Sequence, residues 1–509
     1  MSLLTTKQRA ELNKAIFQYT QAKIAAADDA NDQLLPMLAE LLEIKTPNDE
    51  IVPNYLEKKW TTVVRLQKRI LDLENEVASY KSLLETSAQS GSNGSALVLP
   101  RDKLDWIPNV NTTTYKTSST QLINCVAVHP VLPLVVAGAS DGSIIAWNMV
   151  HDSSAIPQKI VPAHTRSVTG LRWSPSPAAL VPNGPQEWIL ASCSSDLSVK
   201  IWEGDSLKHV RTLSGHEHTV SSVAFSPTNP LVLYSVSRDL SVRVWDVANG
   251  TCTRKFVGHS EWARDVDAAS VEQHLVDAGT SGFLGDFLLT CSNDQSIRLS
   301  HASSGIGLAL LLGHTHVIES VKFLPLLSNK YLDGFVLSNL DKFSSLSEDI
   351  VKNPAYEENL GYKYCVSAGR DSLIKLWLLP PPTLRPNRPP APSELNNSQG
   401  WHLADLIGHQ SWVKSLSVHP SGRYLFSGGD DKAVRVWDFS TLMDKGSVRC
   451  IKTLTAHEGF VSSVHMASFE ISGTKDSEKT EEALLKRIEH DMRCIFVTGG
   501  VDKTVRIWS

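Results

Sequence analysis

No cysteine in this chain stands in a Cys-x-x-Cys pair, which excludes the commonest thiolate metal and redox motifs. The seven cysteines are Cys125, Cys193, Cys252, Cys291, Cys365, Cys450 and Cys494, scattered singly and several of them in apolar runs. An odd, dispersed set predicts free thiols in a reducing compartment, not a disulfide framework. Long apolar stretches are missing too, since nothing approaches the roughly 20 residues needed to span a bilayer. Met-Ser-Leu-Leu-Thr-Thr-Lys leads straight into a polar amphipathic segment without a signal-peptide core. A cytosolic or nuclear protein without membrane insertion is expected. Cationic excess is lacking as well. Net charge is -5, with 20% charged and 42% hydrophobic residues, so general nucleic-acid binding has no support.

Chemistry-bearing motifs are equally scarce. There is no G-x-x-x-x-G-K-[ST] loop to cradle phosphates, no G-x-G-x-x-G and no H-E-x-x-H. His216-Glu-His218 and His314-Thr-His316 are close pairs, but one member of each belongs to a repeat. No metal and no cofactor is expected. The protein is read as a non-enzyme, because its Ser, His and Asp recur around the chain whereas a catalytic group is singular.

What is present is periodicity. Six times an apolar run ends in Asp, with Trp six positions later: Asp141/Trp147, Asp196/Trp202, Asp239/Trp245, Asp371/Trp377, Asp431/Trp437 and Asp502/Trp508. A seventh copy keeps Asp294 but has Ser300 in place of Trp. Between the landmarks the apolar residues alternate, as in Val242-Arg-Val-Trp245, which is a strand with one buried face. His164, His216, His259, His314, His409 and His457 precede six of the copies, and the first has Ser118-Ser119 instead. These units resemble the WD-repeat propeller over residues 112–509. In that family the His, a Ser or Thr, the Asp and the Trp indole form a hydrogen-bonded chain. The first and fourth blades should therefore be locally weak. Because the chain ends at Trp508-Ser509, the last blade must take its outer strand from about Thr112–Thr120. Excess length falls into insertions at 174–187, 268–285, 326–361, the Pro-rich 379–399 and the charged 468–491, all expected to be surface loops and partly disordered. The Pro-rich stretch reads as a stiff connector or a polyproline ligand.

Residues 1–45 hold two short amphipathic segments, one carrying Leu12 and Ile16, too small to bury a core without a partner. Residues 54–86 place Leu56, Val63, Ile70, Val77 and Leu84 seven apart, with Leu66, Leu73 and Tyr80 at the complementary positions. That pattern favours a parallel two-stranded coiled coil, so these residues are the dimerisation candidates. A single helix lying on the propeller is the alternative. Residues 87–111 read as a flexible linker.

Leu4 to Tyr19 looks like a LisH dimerisation motif, Leu56-Glu-Lys-Lys-Trp60 runs into Val64 to Glu74, and Asp105-Trp-Ile-Pro108 precedes the propeller. In order and wording the chain resembles the lissencephaly-type nuclear distribution proteins. The fold expected is thus mostly β, a seven-bladed WD-repeat propeller behind an α-helical LisH motif and a parallel coiled coil. The resemblance implies a homodimer that binds the cytoplasmic dynein heavy-chain motor domain and promotes its activation. It also implies a NudE-type coiled-coil adaptor as partner, roles in nuclear migration and spindle positioning, and a cytoplasmic place at microtubule plus ends and spindle poles. Two rival roles are a scaffold associated with an acetylhydrolase and a ubiquitin-ligase substrate receptor. Residues 20–55 are short for the adaptor-binding element of the latter.

The loop with the repeat His and the turn with the repeat Asp lie on one propeller face. That places Arg238, Arg264, Arg370, Trp412 and Lys432 together over the third to sixth blades. Exposed Trp ringed by Arg suits an acidic protein partner. In the rival reading the arginines pair with neighbouring Asp and the tryptophans pack into loops. The resemblance implies that these five positions contact the motor. Glu217 and His218 are candidates for a second contact on the same face.

Overall fold

A computed structural model describes residues 107–509 apart from 118–120, 150–156, 182–183, 205, 271–284, 344–345, 386–387, 394–398, 443–445 and 468–495. The LisH segment, the coiled coil and their dimerisation residues lie outside the described residues, as does the 468–491 insertion. Seven four-stranded antiparallel sheets form the blades of a propeller, each meandering from an inner to an outer strand. The third blade is representative: Val220–Phe225, Val232–Ser237, Ser241–Asp246 and Thr251–Val257. In the seventh, Thr113–Lys116 pairs with Thr504–Trp508, so the earliest described strand supplies the outer edge of the last blade. Without this closure Thr504–Trp508 would be the unpaired outer edge of a three-stranded blade. Among the described residues no helix is long and apolar enough to cross a membrane.

The tight turn between the middle strands explains the repeat Asp. The residue after it is left-handed in every blade: Gly142 in the first, then Leu197, Leu240, Gln295, Ser372, Lys432 and Lys503. A non-glycine residue there is strained by about 1–2 kcal/mol. The Asp carboxylate offsets that strain by bonding on both sides of the turn. Asp239 Oδ1 accepts from Ser241 N at 2.9 Å, while Oδ2 accepts from Glu217 N at 3.0 Å and meets His216 Nδ1 at 2.8 Å. The carboxyl of Asp239 accordingly sits far below the usual carboxylate range: burial opposes this, and bonds from His216, Ser241 and Glu217 N outweigh it. The far nitrogen of His216 meets Ser235 Oγ at 2.7 Å, and that oxygen accepts the Trp245 indole N–H at 2.8 Å. The second, fifth, sixth and seventh blades repeat the chain through Ser192, Ser367, Ser427 and Thr498.

The two irregular copies are resolved in different ways. In the first blade Gln121 reaches in where the histidine would, with Nε2 at 2.5 Å from Asp141 Oδ2 and 3.3 Å from Ser143 Oγ. Ala137 takes the place of the relay serine, and the buried Trp147 Nε1 has no hydrogen-bond partner among the described residues. Gly138-Ala-Ser-Asp-Gly142 has the G-x-S-x-G spacing of a hydrolase elbow but forms a strand-to-strand turn, with Ser140 Oγ accepting from Leu122 N at 3.2 Å. The fourth blade keeps His259 at 3.0 Å from Asp294 and 2.9 Å from Thr290, and loses only the indole donor at the buried Ser300.

Two expected loops prove to be ordered structure. Residues 326–361 contain the helices Asn329–Ser338 and Glu348–Val351 and a π-helical turn Tyr356–Leu360. Leu332, Phe335, Val336, Val351, Tyr356 and Leu360 are buried in the core cluster of the fourth to sixth blades. Asp333 holds Lys363 Nζ and Tyr364 Oη, each at 2.6 Å, and Tyr356 Oη donates to Leu379 O at 2.7 Å. The apolar helix face was hidden in the sequence by a composition that looked like a loop. In the described part of the Pro-rich 379–399, Thr383–Arg385 and Arg388–Ala391 pair as strands, so this part is more than a plain connector.

Candidate protein-binding face

One backbone contact recurs on the face that carries the His loops and Asp turns. The residue before each inner strand accepts, through its carbonyl, the N–H of the residue preceding the repeat Asp. Thr219 is thereby bonded to Arg238 (3.0 Å), Trp262 to Asn293 (3.0 Å), Val317 to Arg370 (2.8 Å) and Trp412 to Asp430 (2.8 Å). Side chains from these paired positions stand beside one another on the surface. Arg264, Glu319 and Lys414 join them from the second residue of the inner strands Ala263–Ala269, Ile318–Phe323 and Val413–Val418.

The result is a continuous row over the third to sixth blades. The Arg238 guanidinium lies 4.7 Å from the Trp262 ring, and that of Arg264 lies 5.8 Å from the same ring. Arg264 Nε donates to Asn293 Oδ1 at 2.7 Å, and its Nη1 is 3.8 Å from Glu319 Oε2. Arg370 Nε donates to Glu319 Oε1 at 2.5 Å, while its guanidinium stacks 4.3 Å over Trp412. Lys414 Nζ, 6.0 Å from the Trp412 ring, is 3.7 Å from Asp430 Oδ1. Trp262 and Trp412 are 37% and 39% exposed, so each indole keeps open surface beside the cations stacked on it.

The electrostatics follow from crowding. Burial lowers the proton affinity of the Arg238 guanidinium, repulsion from Arg264 and Arg370 adds to this, and Glu319 opposes it. Its buried Nε has no hydrogen-bond partner among the described residues. The Asp430 carboxyl is pushed up by burial and by Glu319, against the pull of Lys414 and Arg370.

Four of the five predicted residues, Arg238, Arg264, Arg370 and Trp412, are brought into this row. Lys432 is exposed on its left-handed turn, and no ring contact or ion pair ties its ammonium to the row among the described residues. Glu217 pairs with Lys255 at 3.3 Å with 76% of its side chain exposed, and the His218 ring is 5.9 Å from Trp262, so both flank the third-blade end. Arg370 pairs with Glu319 and not with a neighbouring aspartate, so the rival reading of simple Arg–Asp pairing does not hold there. Glu319 was missed. Its signal was positional: Ile318-Glu319 aligns with Ala263-Arg264 and Val413-Lys414, where other blades have Asn124, Thr169, Ser221 and Ser462.

Chemically the row offers guanidinium donors, exposed indoles and two enclosed carboxylates, Glu319 and Asp430. Its one hydroxyl, that of Thr219, is buried, and it contains no thiol. Among the described residues no cluster of His, Cys, Asp or Glu could hold a metal ion. Cations stacked on half-exposed aromatics suit recognition of an acidic protein surface.

Five stretches of the chain, 109–148, 156–203, 207–246, 400–438 and 483–509, match the model of the WD domain, G-beta repeat. The unmatched 247–399 holds Ser300 and the helical insertion. The chain is 50% identical over 528 residues to nuclear distribution protein PAC1 of Debaryomyces hansenii, covering 100% of this chain and 99% of that protein. To the protein of the same name from Scheffersomyces stipitis it is 50% identical over 524 residues, covering 100% and 99%. To that of Meyerozyma guilliermondii it is 51% identical over 524 residues, covering 100% of both.

Proposed function

The chain belongs to the nuclear distribution protein PAC1 family of WD-repeat propellers, and from that membership we propose a homodimeric, non-enzymatic regulator of cytoplasmic dynein. It binds the dynein heavy-chain motor domain through Arg238, Arg264, Arg370 and Trp412, with Lys432 at the edge and Glu217 and His218 as a second contact. Through the motor it promotes nuclear migration and spindle positioning. A NudE-type adaptor is a further partner, and the protein works in the cytoplasm at microtubule plus ends and spindle poles. Dimerisation runs through the seven-residue spacing of Leu56, Val63, Ile70, Val77 and Leu84, which brings two propellers to one motor and raises their effective concentration.

The observation that carries the reading is the stack of Arg370 on Trp412 at 4.3 Å, with the indole left 39% exposed. Truncating a residue of this kind at an interface centre typically costs about 2 kcal/mol or more. Arg370→Ala or Trp412→Ala should therefore weaken capture of the dynein motor domain by about 30-fold, with the melting temperature near wild type. Undiminished capture by both variants removes the face from the proposal.

A further inference from the structure

Glu319 stands between the two halves of the row, and nothing in the repeat calls for a carboxylate there. Only 12% of its side chain is exposed. A carboxylate so withdrawn from water needs charged partners. It has one on each side: Oε1 takes the Arg370 Nε–H at 2.5 Å, and Oε2 lies 3.8 Å from Arg264 Nη1. We infer that Glu319 is a positioning residue of this face: one carboxylate holds Arg264 of the fourth blade and Arg370 of the fifth, so that the guanidiniums meet an acidic partner as one fixed surface. The inference rests on the proposed motor-binding role of that surface.

Two features of the geometry support it. Arg370 gives only its Nε–H to Glu319, so both Nη groups remain, and together they form the end-on edge that can grip a carboxylate twice. The three guanidiniums also repel one another, and Glu319 opposes that repulsion at Arg238. Without the carboxylate, Arg264 would still be held by Asn293 and Arg370 by Trp412. Nothing in this row would then join the fourth-blade half to the fifth. The competing idea is that Glu319 merely occupies the arginines until a partner's carboxylate displaces it. That idea predicts the opposite sign, because removing the charge would then tighten binding.

The test titrates the full chain against the cytoplasmic dynein motor domain. Glu319→Gln keeps the size and removes the charge, and it is compared with wild type, Arg370→Ala and the double variant. Glu319→Gln is expected to bind about tenfold more weakly at an unchanged melting temperature. The double variant should lie within about twofold of Arg370→Ala, because the two residues act as a unit. Wild-type or tighter binding by Glu319→Gln overturns the inference, as do losses that multiply in the double variant. Wild-type binding by both Arg370→Ala and Trp412→Ala overturns the face itself, and the inference with it. Should Glu319→Gln melt early, hydrogen exchange of Arg370 Nε–H in the free wild-type chain decides. Slowed exchange is expected, and exchange at the rate of a free guanidinium refutes the contact.

Discussion

Replacing Ser235 with Ala tests whether the relay hydroxyl rivets a blade or only fills space. Ser235 and Trp245 are 0% and 1% exposed. The hydroxyl accepts the indole N–H at 2.8 Å and meets His216 Nε2 at 2.7 Å. With His216 Nδ1 facing the Asp239 carboxylate, Nε2 is the acceptor and Ser235 the donor. Alanine therefore orphans one donor and one acceptor at a stroke. Each unsatisfied buried group costs about 1–3 kcal/mol, less the hydroxyl's own desolvation, so a net loss of about 3 kcal/mol is expected. Water cannot repair it, because removing one oxygen leaves less room than a water molecule needs. Urea unfolding at pH 7, followed by far-UV circular dichroism, reads the loss as a lowered midpoint with unchanged slope. The first blade supplies the reciprocal experiment, since Ala137 stands at the relay position and Trp147 Nε1 is already without a partner. Ala137→Ser should stabilise by about 1 kcal/mol. A loss below about 1 kcal/mol for Ser235→Ala, together with a loss for Ala137→Ser, would refute the rivet argument.

Burial pushes the His419 imidazole down to about 4, so the unfolded chain, titrating near 6.5, takes up this proton first. The contribution is whole above about 6.5 and drains away as pH falls toward 4, reaching a loss of about 2 kcal/mol at pH 5. His419→Gln should flatten the fall in urea midpoint between pH 7 and 5, and an unchanged fall would assign it to other groups. Among the described cysteines, brief native alkylation should modify the exposed Cys252 and half-buried Cys450 first. Cys125, Cys193, Cys291 and Cys365 are buried, and Cys193, for one, has its thiol pushed up to about 12, so peptide mass spectrometry should find them protected. Equal labelling of any one of those four would show that its blade opens on the labelling timescale.

The architecture was legible because each landmark does the same job wherever it occurs. The Asp fixes a strained turn and the His and Trp share one hydroxyl, so spacing alone located the seven units and the borrowed outer strand Thr113–Lys116. Most of the candidate face was legible for the same reason, since residues flanking the landmarks inherit their position. Three things escaped. Gln121 replaces the histidine from two residues beyond the aligned Ser119, a substitution of reach that alignment does not reveal. Glu319 aligns with Arg264 at the second position of an inner strand, but a lone acidic residue did not stand out where arginines and tryptophans were sought. The 326–361 helices bury their apolar faces against other blades, and those contacts are long-range.

The same insertions bear on why the row lies where it does. The fourth blade lacks the indole that stiffens its neighbours, yet its outer strand Gly307–Leu312 buries Leu308, Ala309 and Leu311. The third blade's outer strand, Thr251–Val257, is exposed along nearly its whole length. What covers the fourth is chain from the fifth: Gln399 bridges in parallel to Leu310, and the backbone at Gly400 lies so close to Leu311 that a Cβ there would collide with it. Trp401, the next residue, is itself 6% exposed. The fifth-blade segment that returns from the Pro-rich hairpin thus clamps the blade without an indole to its neighbour. Those two blades carry Arg264, Glu319 and Arg370, the middle of the row. A charged surface binds well only if its groups are held before the partner arrives, because ordering them afterwards costs about 0.5–1.5 kcal/mol for each long side chain. On the proposed reading of that row the clamp serves binding as well as the fold: it keeps in register two blades whose arginines share the Glu319 carboxylate.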